Sequence, residues 1–511
     1  MIMKKIFYPL FAAAVMLSAC TTNFLEVEPT TTVPEETSYT TEYDITKALM
    51  AAYAPLIGFD YCDEEFHPYQ FMSDILADDY NAVGGSGPSD IVHLQLMANY
   101  NLNSQQSLVG FWTNLYRGVY RSNIVVNRTA AIEGMSDANK TRVINEARFL
   151  RAFYYHILWK FWGSVPYYTV NPNGADVAYI VPQLTEDEVY NKIMEDLDAA
   201  TAPGALPETV LTTEVGRANR YAAYMLRAEV VMLKGDESRY ASVLSQLQEL
   251  INSNIYELTP NFADIWETEG EWNCESIFEI NYADDPANRS WEDPLAPGGS
   301  IYPVFLCPDS YKGSRFHSEG YGFGPVSPAL KAAYEEGDQR RDASIMDFNT
   351  DKQAGEKFNE RYGNTGMFNK KYMARAGGAE NNVAGIYDMG HRNNLRIYRY
   401  SDALLRAAEL IIRTGGSQAD ADAYLNKVRA RAFRVEPENI GVNKKTATLD
   451  NILDERRKEF AMEGHRFFDL VRFGKADAIL GAKGYTASKR YIPIPQSEID
   501  KAEGTLKQNN Y

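Results

Sequence analysis

A dense run of charged residues near the end of the chain has the residue types for acid–base chemistry. The segment ERRKEFAMEGHRFFDLVRFG, residues 455–474, contains carboxylates, arginines and one histidine. A glycoside hydrolase uses two such carboxylates as acid and base. However, Glu455, Glu459 and Glu463 are spaced one helical turn apart with arginines between them, which favours ion pairs between helices. We therefore predict a structural cluster and no enzyme; a surface hydrolase with two carboxylates flanking a cleft is the alternative.

Aromatic residues in irregular parts of the chain could bind a ligand by stacking. A sugar ring presents a face of C–H bonds that packs on an aromatic ring, while its hydroxyls need polar side chains nearby. Among the 34 tyrosines, 23 phenylalanines and 6 tryptophans, nine stand in irregular regions rather than on apolar helical faces: Tyr80, Tyr100, Trp272, Tyr282, Trp291, Tyr302, Tyr311, Phe316 and Tyr321. We expect about two thirds of such loop rings to fill small cores, which leaves three or four on the surface.

Two groups of residues are the candidates for such a site. The ligand-binding candidates are Tyr80, Tyr100, Asn101, Trp272, Trp291, Tyr302 and Tyr321. Further polar side chains that could bind sugar hydroxyls are Asp78, Asn99, Asn288 and Arg289.

The sequence predicts no cofactor. The six histidines are scattered, with no HExxH pair, and no Walker loop or GxSxG segment is present. The stretch DILADDYNAVGGSGPSD, residues 74–90, has carboxylates suited to calcium but lacks the spacing of an EF-hand loop. A bound calcium ion is therefore an open possibility without support from a motif.

The start of the chain has the pattern of a lipoprotein export signal. Lys4 and Lys5 precede an apolar run over residues 6–17, and Ser18 and Ala19 precede Cys20. The residues Leu17 to Cys20 resemble a bacterial lipobox, in which the cysteine carries the lipid and becomes the first mature residue. We therefore predict a signal peptide at residues 1–19 and lipid attachment at Cys20. Several acyl chains on this residue would anchor the protein stably, which a single chain would not. No later segment reaches the length of an apolar membrane span.

The overall charge limits the partners. The formal net charge is −18, which argues against nucleic acid because binding to phosphates needs a basic surface. With 511 residues and 45% hydrophobic content, the chain can bury a large core.

The elements that must position these residues are mostly helical. Apolar residues recur every three or four positions in four strong helical segments, each followed by a plausible partner helix. The predicted helices lie in residues 107–130, 142–163, 185–201, 217–235, 238–253, 399–416, 421–433 and 449–474. Residues 58–103 and about 260–395 are predicted to be irregular, apart from a short strand in ESIFEINYA, residues 275–283. Such helix pairs loosely resemble tetratricopeptide repeats, although Tyr116 stands where that consensus has glycine.

An ordered set of segments resembles the SusD/RagB family of surface lipoproteins. The segments are NFLEVEPT, FWTNLYRGVYRSNIVVN, EARFLRAFYYHILWKFWGSVPYYT, YRYSDALLRAAELIIRTG, LNKVRARA, ILDERRKEFAMEGHRFFDLVRFGKA and YIPIPQSEIDKAEGTLKQNNY. They follow the order of the family over nearly the whole mature chain.

This resemblance implies a fold. It implies a mostly α, SusD-like single domain over residues 20–511, on four tetratricopeptide-like helix pairs with long irregular loop insertions and a little β. Residues of about 20–240 would hold three helix pairs, about 260–395 the variable ligand region, and about 396–511 the fourth pair.

The resemblance also implies a function. Such a protein is anchored in the outer membrane by its lipid, faces outward, binds glycan and delivers it to a SusC-like TonB-dependent transporter without catalysis. In the family the glycan face comes from the stretch before the first repeat helix and from the loops after the third. Tyr100, Trp272, Trp291, Tyr302 and Tyr321 lie in those regions.

A second ligand class stays open at this point. A RagB-like protein could bind peptides or another nutrient, for which a strand edge or a groove that reads the backbone would be expected instead of ring platforms. The sequence does not identify which glycan or linkage would be bound.

Overall fold

The computed structural model describes residues 38–172, 181–283, 288–313, 319–350, 355–375, 386–509 and 511. The predicted signal peptide and Cys20 lie outside these residues. Within the described part of the chain, no helix is long and apolar enough to cross a membrane.

The fold is mostly α. The helices are α1 Glu42–Tyr53, α2 Tyr69–Ile75, α3 Val92–Ala98, α4 Val109–Arg128, α5 Asp137–Trp162, α6 Glu186–Ala200, α7 Arg220–Lys234, α8 Tyr240–Asn252, α9 Tyr302–Leu306, α10 Pro328–Ala333, α11 Arg340–Ser344, α12 Tyr400–Arg413, α13 Gln418–Ala432, α14 Leu449–Glu459, α15 Arg466–Arg472, α16 Ala476–Leu480 and α17 Gln496–Lys501. Every helical segment predicted from apolar periodicity is therefore confirmed, with the last one divided into α14 and α15.

Local sequence signals fix where several helices begin and end. Thr185 and Glu188 form a capping box at the start of α6, each side chain accepting a backbone N–H of the other residue. Gly163 and Gly235 end α5 and α7 with φ of 73° each, a conformation that glycine adopts without steric cost.

The long helices pack on one another in sequence order. Helix α4 packs on α5, α5 on α6, α7 on α8, and α12 on α13. Close approach of α4 and α5 requires a glycine, because a Cβ atom at Gly118 would lie 2.4 Å from the ring of Tyr154. One core cluster of buried apolar residues extends from Ile45 to Leu506. Grouping of the helices into tetratricopeptide-like units remains a prediction.

The β structure consists of short antiparallel pairs. The strands are β1 Tyr61–Cys62, β2 Glu65–Phe66, β3 Ser276–Ile280, β4 Ile345–Asp347, β5 Met367–Asn369 and β6 Leu395–Arg399, paired β1–β2, β3–β6 and β4–β5. The predicted strand in residues 275–283 is confirmed as β3. Its pairing with β6 joins the two ends of the loop-rich segment and so fixes that segment on the helical scaffold.

The predictions that residues 58–103 and about 260–395 are irregular are both wrong in part. The first stretch contains α2, α3 and the β1–β2 hairpin, and the second contains α9, α10, α11 and the strands β4 and β5 in addition to the predicted β3. All seven residues of α2 are buried, so the helix lacks the alternation of polar and apolar faces on which the prediction relied.

The charged cluster of residues 455–474 is confirmed as structural. Glu459 is fully buried and accepts hydrogen bonds from Arg340 and Arg399 at 3.0 Å each and from Arg431. Burial alone would raise the pKa of this carboxyl, but the three guanidinium groups outweigh it and hold the pKa well below its usual range. The carboxylate and the three guanidinium groups therefore neutralise one another in the core. We call Glu459, Arg340, Arg399 and Arg431 the arginine lattice.

Candidate functional site

Four aromatic side chains from three separate segments meet at one place on the surface. The indole of Trp291 lies 5.0 Å from the ring of Tyr61 and 6.3 Å from that of Phe66, between ring centroids. The ring of Tyr321 lies 6.2 Å from Phe66 on another side. We call Tyr61, Phe66, Trp291 and Tyr321 the aromatic patch. Phe66 in turn stacks at 6.0 Å on the buried Phe305, which connects the patch to the core.

Trp291 is the exposed ring of this patch. It retains 36% of its surface exposed, whereas Tyr61 is buried and Phe66 and Tyr321 are half-buried. Both aromatic contacts of the indole are edge-to-face, with interplanar angles of 89° and 66°. Within the described residues no aromatic ring stacks on the indole, so a flat apolar ligand face could pack there.

The hydroxyl of Tyr321 fixes the other end of the patch. It donates a 2.7 Å hydrogen bond to Asp388. Burial and the adjacent carboxylate both raise the pKa of this phenol above its ordinary value, so the hydroxyl keeps its proton. The exposed Asn288 lies three residues before Trp291. Asp388 is thus a polar group at the ring of Tyr321, and Asn288 is a polar residue close to Trp291 in the chain.

The β1–β2 hairpin presents Tyr61 and Phe66 opposite each other across the two strands. Its turn residues Asp63 and Glu64 have φ of 49° and 61°, a left-handed conformation that costs energy in residues other than glycine. Arg117 of α4 donates to both carboxylate oxygens of Asp63, at 3.0 and 3.1 Å. This contact holds the turn in place from the scaffold side.

A buried ion pair positions the loop that carries Trp291. Arg289 is fully buried and donates to the two carboxylate oxygens of Asp60 at 2.6 and 3.0 Å. The same guanidinium donates to the carbonyl oxygens of Tyr61, Pro294 and Gly299. Asp60 also accepts from the hydroxyl of Ser300 and the N–H of Ile301, at 2.8 Å each. Because all of these partners except the half-buried Pro294 are buried, the pair fixes the hairpin relative to the Trp291 loop.

A largely buried carboxyl belongs to strand β2 of the hairpin. Glu65 accepts a 3.0 Å hydrogen bond from the N–H of Phe111 in the first turn of α4. Burial raises the pKa of Glu65 to about 7, and the N–H groups of the helix start only partly offset that effect.

We expect Glu65 to make stability depend on pH. Because its folded-state pKa lies above the ordinary value of 4.5, the folded protein holds the proton more tightly than the unfolded chain. The free energy of unfolding therefore falls as pH rises from about 4.5 to 7, by up to about 3 kcal/mol from this group. Urea unfolding of the wild type and Glu65→Gln across this range tests the expectation. His67, whose Nδ1 lies 3.6 Å from the Glu65 carboxylate, is present in both proteins, and its lowered pKa of about 4 acts in the opposite direction. A constant difference at all pH values would contradict it.

Three of the residues predicted to bind ligand are buried, so their assignment as ring platforms is corrected. Tyr80, Tyr100 and Tyr302 are at most 3% exposed. Tyr80 packs on Phe71, Tyr100 on Tyr485, and Tyr302 on Tyr372. Their rings fill the core under the loops and offer no face to a ligand.

The other predicted residues are distributed over three places. Trp291 and Tyr321 belong to the aromatic patch. Trp272 is half-buried with φ of 52°, and its indole N–H donates to Asn281 at 2.8 Å. Asn101 is exposed in a shallow groove beside Lys489 and Asn509. The prediction that Trp272, Asn101 and the patch contribute to ligand binding is not tested by this geometry.

Two of the predicted polar partners have other roles. Arg289 is fully buried by its contacts with Asp60, so it positions the loop and is not free to bind a sugar. Asp78 pairs with Arg466 at 2.9 Å. In the part of the chain that the structure describes, no group of three or more His, Cys, Asp or Glu residues could hold a metal ion.

Sequence reasoning missed Tyr61, Phe66 and Asp60 as residues of the site. The six residues YCDEEF form a hairpin whose turn, Asp63–Glu64, contains no glycine or asparagine. The usual signal of a tight hairpin turn is therefore missing. Aromatic residues on both sides of a short acidic run are the signal that could have indicated this hairpin.

Comparisons with known proteins agree with this architecture. A family model described as "SusD family" matches residues 274–489, and one described as "Starch-binding associating with outer membrane" matches residues 23–232. Surface glycan-binding protein A from Bacteroides thetaiotaomicron, solved with laminarihexaose, is 39% identical over 92% of this chain and 100% of that chain, with a TM-score of 0.85. This chain belongs to the SusD family.

Further relatives cover this SusD-family chain nearly end to end. Surface glycan-binding protein A from Bacteroides fluxus is 36% identical over 92% of this chain and 99% of that chain, with a TM-score of 0.84. The "SusD-like protein P25" of Formosa agariphila is 26% identical over 88% of this chain and 86% of its own length. The predicted family and mostly α fold are thereby confirmed.

Proposed function

We propose that this SusD-family chain is a non-enzymatic, cell-surface glycan-binding protein and that the aromatic patch is its binding site. The observation that carries the proposal is the exposed indole of Trp291, held among Tyr61, Phe66 and Tyr321 by the buried Asp60–Arg289 pair. An indole in this setting can stack on the C–H face of a sugar ring, and Asp388 and Asn288 can bind its hydroxyls.

The names of the relatives suggest which glycan to try first. One of them was solved with laminarihexaose, and another is described as a "Laminarin binding SusD-like protein", at 29% identity over 92% of this chain and 99% of that chain, with a TM-score of 0.82. We therefore propose laminarin-type glucan as the first ligand.

The anchor and the transporter complete the proposal. Cys20 would carry the lipid that attaches the protein to the outer membrane, facing outward. The bound glycan would pass to a SusC-like TonB-dependent transporter. The family description "Starch-binding associating with outer membrane" supports this location.

We expect Trp291→Ala to weaken glycan binding at least tenfold. Removal of a central aromatic anchor from a binding surface commonly costs about 2 kcal/mol or more. Isothermal titration with laminarihexaose measures the change, after affinity electrophoresis against a panel of polysaccharides has established that the wild type is retarded. Trp272→Ala is the matched control, because it removes another partly exposed indole, outside the patch, and it should change affinity less than twofold.

The two tryptophan variants also define the opposite outcome. Loss of binding in Trp272→Ala with full binding in Trp291→Ala would move the site to Trp272. Absence of retardation by every glycan would contradict the proposal and favour a peptide ligand.

A further inference from the structure

Acidic residues stand beside the members of the aromatic patch. Glu64 stands at the turn of the β1–β2 hairpin, Glu292 and Asp293 follow Trp291 directly, and Asp388 accepts a hydrogen bond from the hydroxyl of Tyr321. Glu64, Glu292 and Asp293 are exposed. We call these four residues the acidic rim.

The rim is not neutralised by the positive side chains beside it. Arg117 is occupied by Asp63 and Arg289 by Asp60. His93 Nε2 donates a 2.7 Å hydrogen bond to the carbonyl oxygen of Phe66, and burial lowers the pKa of His93, so its ring is uncharged at neutral pH. Among the described residues, Glu64, Glu292 and Asp293 form no ion pair with a lysine or arginine. Among the residues that the structure describes, the charged groups beside the patch are therefore negative in sum.

We infer that the aromatic patch selects uncharged glycans and rejects those whose sugars carry carboxylate groups. This inference rests on the proposed function of the patch. One like charge at about 8 Å in water weakens binding roughly twofold, so three or four of them act together to about tenfold. This repulsion weakens the binding of carboxylated glycans and adds no contact to uncharged ones.

The experiment compares two ligands that share one backbone. Laminarihexaose is titrated against its derivative oxidised at C6, in which glucosyl units carry carboxylates. We expect the wild type to bind the oxidised hexamer at least fivefold more weakly in low salt. This ratio should approach one in 1 M NaCl, where the Debye length is about 3 Å.

Charge-neutral variants assign the effect to the rim. In the triple variant Glu64→Gln, Glu292→Gln, Asp293→Asn we expect the ratio of the two affinities to fall below twofold. The matched control, Asp187→Asn, Glu195→Gln, Asp450→Asn, removes the same charge from exposed positions on α6 and α14 and should retain the ratio of the wild type.

Each remaining outcome has one meaning. Equal binding of both hexamers by the wild type would overturn the selectivity while the proposed function stands. An unchanged ratio in the rim variant would overturn the role of these three carboxylates. Binding of neither hexamer, nor of any other neutral glycan, would overturn the proposed function and this inference with it.

Discussion

Asp60→Asn is expected to destabilise the protein by about 3–5 kcal/mol and to abolish glycan binding. The change leaves the guanidinium of Arg289 buried with no carboxylate, and an uncompensated buried charge has a cost of this size. Arg289 also donates to the carbonyl oxygen of Pro294, in the loop after Trp291, and to that of Tyr61 in the hairpin, so the loop that presents the indole loses its position. Urea unfolding measures the stability, and titration with laminarihexaose at a temperature where the variant is folded measures the binding.

A nearby aspartate provides the matched control for this prediction. Asp63→Asn makes the same chemical change in the same hairpin, but the Asp63–Arg117 pair is exposed to solvent. We expect a loss below about 1 kcal/mol, because exposed ion pairs contribute little. Similar losses in the two variants would show that burial of Arg289 is not what makes Asp60 necessary.

Glu459→Gln is expected to destabilise the protein by at least about 3 kcal/mol without a specific effect on the patch. Glu459 receives hydrogen bonds from Arg340, Arg399 and Arg431, all buried in the arginine lattice. A neutral amide leaves positive charges in excess among these helices. The pKa of Glu459 is lower in the folded protein than in the unfolded chain. The stability that this carboxylate contributes is therefore fully present above the unfolded-state pKa and is lost as pH falls through the folded-state pKa.

The control for the arginine lattice is a glutamate on the surface. Glu195→Gln removes a carboxylate from the exposed Lys192–Glu195 pair on α6, and we expect a change below about 0.5 kcal/mol. Equal unfolding midpoints in urea for Glu459→Gln and the wild type would contradict a stabilising role of the lattice.

The long helices could be predicted from the sequence because their signals are local. Apolar residues at helical spacing mark α5 and α7, and Gly163 and Gly235 mark their ends. The spacing of Glu455, Glu459 and Glu463 among arginines likewise predicted a structural lattice, since residues one turn apart lie on the same face of a helix.

The candidate site could be predicted only in part because ring exposure depends on distant residues. Tyr80 and Trp291 stand in polar sequence, and Tyr302 follows the glycine-rich residues 297–300, yet of these three only Trp291 retains an exposed ring. What separates them is tertiary packing, such as that of Tyr302 on Tyr372, seventy positions away in the chain. Likewise, the pairing of Asp60 with Arg289 joins segments that no local pattern connects.

A crystal structure of the protein with laminarihexaose tests the central claim most directly. We predict that a glucosyl ring packs on the indole of Trp291, with Phe66 and Tyr321 beside it and Asp388 or Asn288 at its hydroxyls. A hexamer ordered elsewhere, for example on Trp272, with Trp291 uncovered would contradict the assignment of the aromatic patch as the binding site.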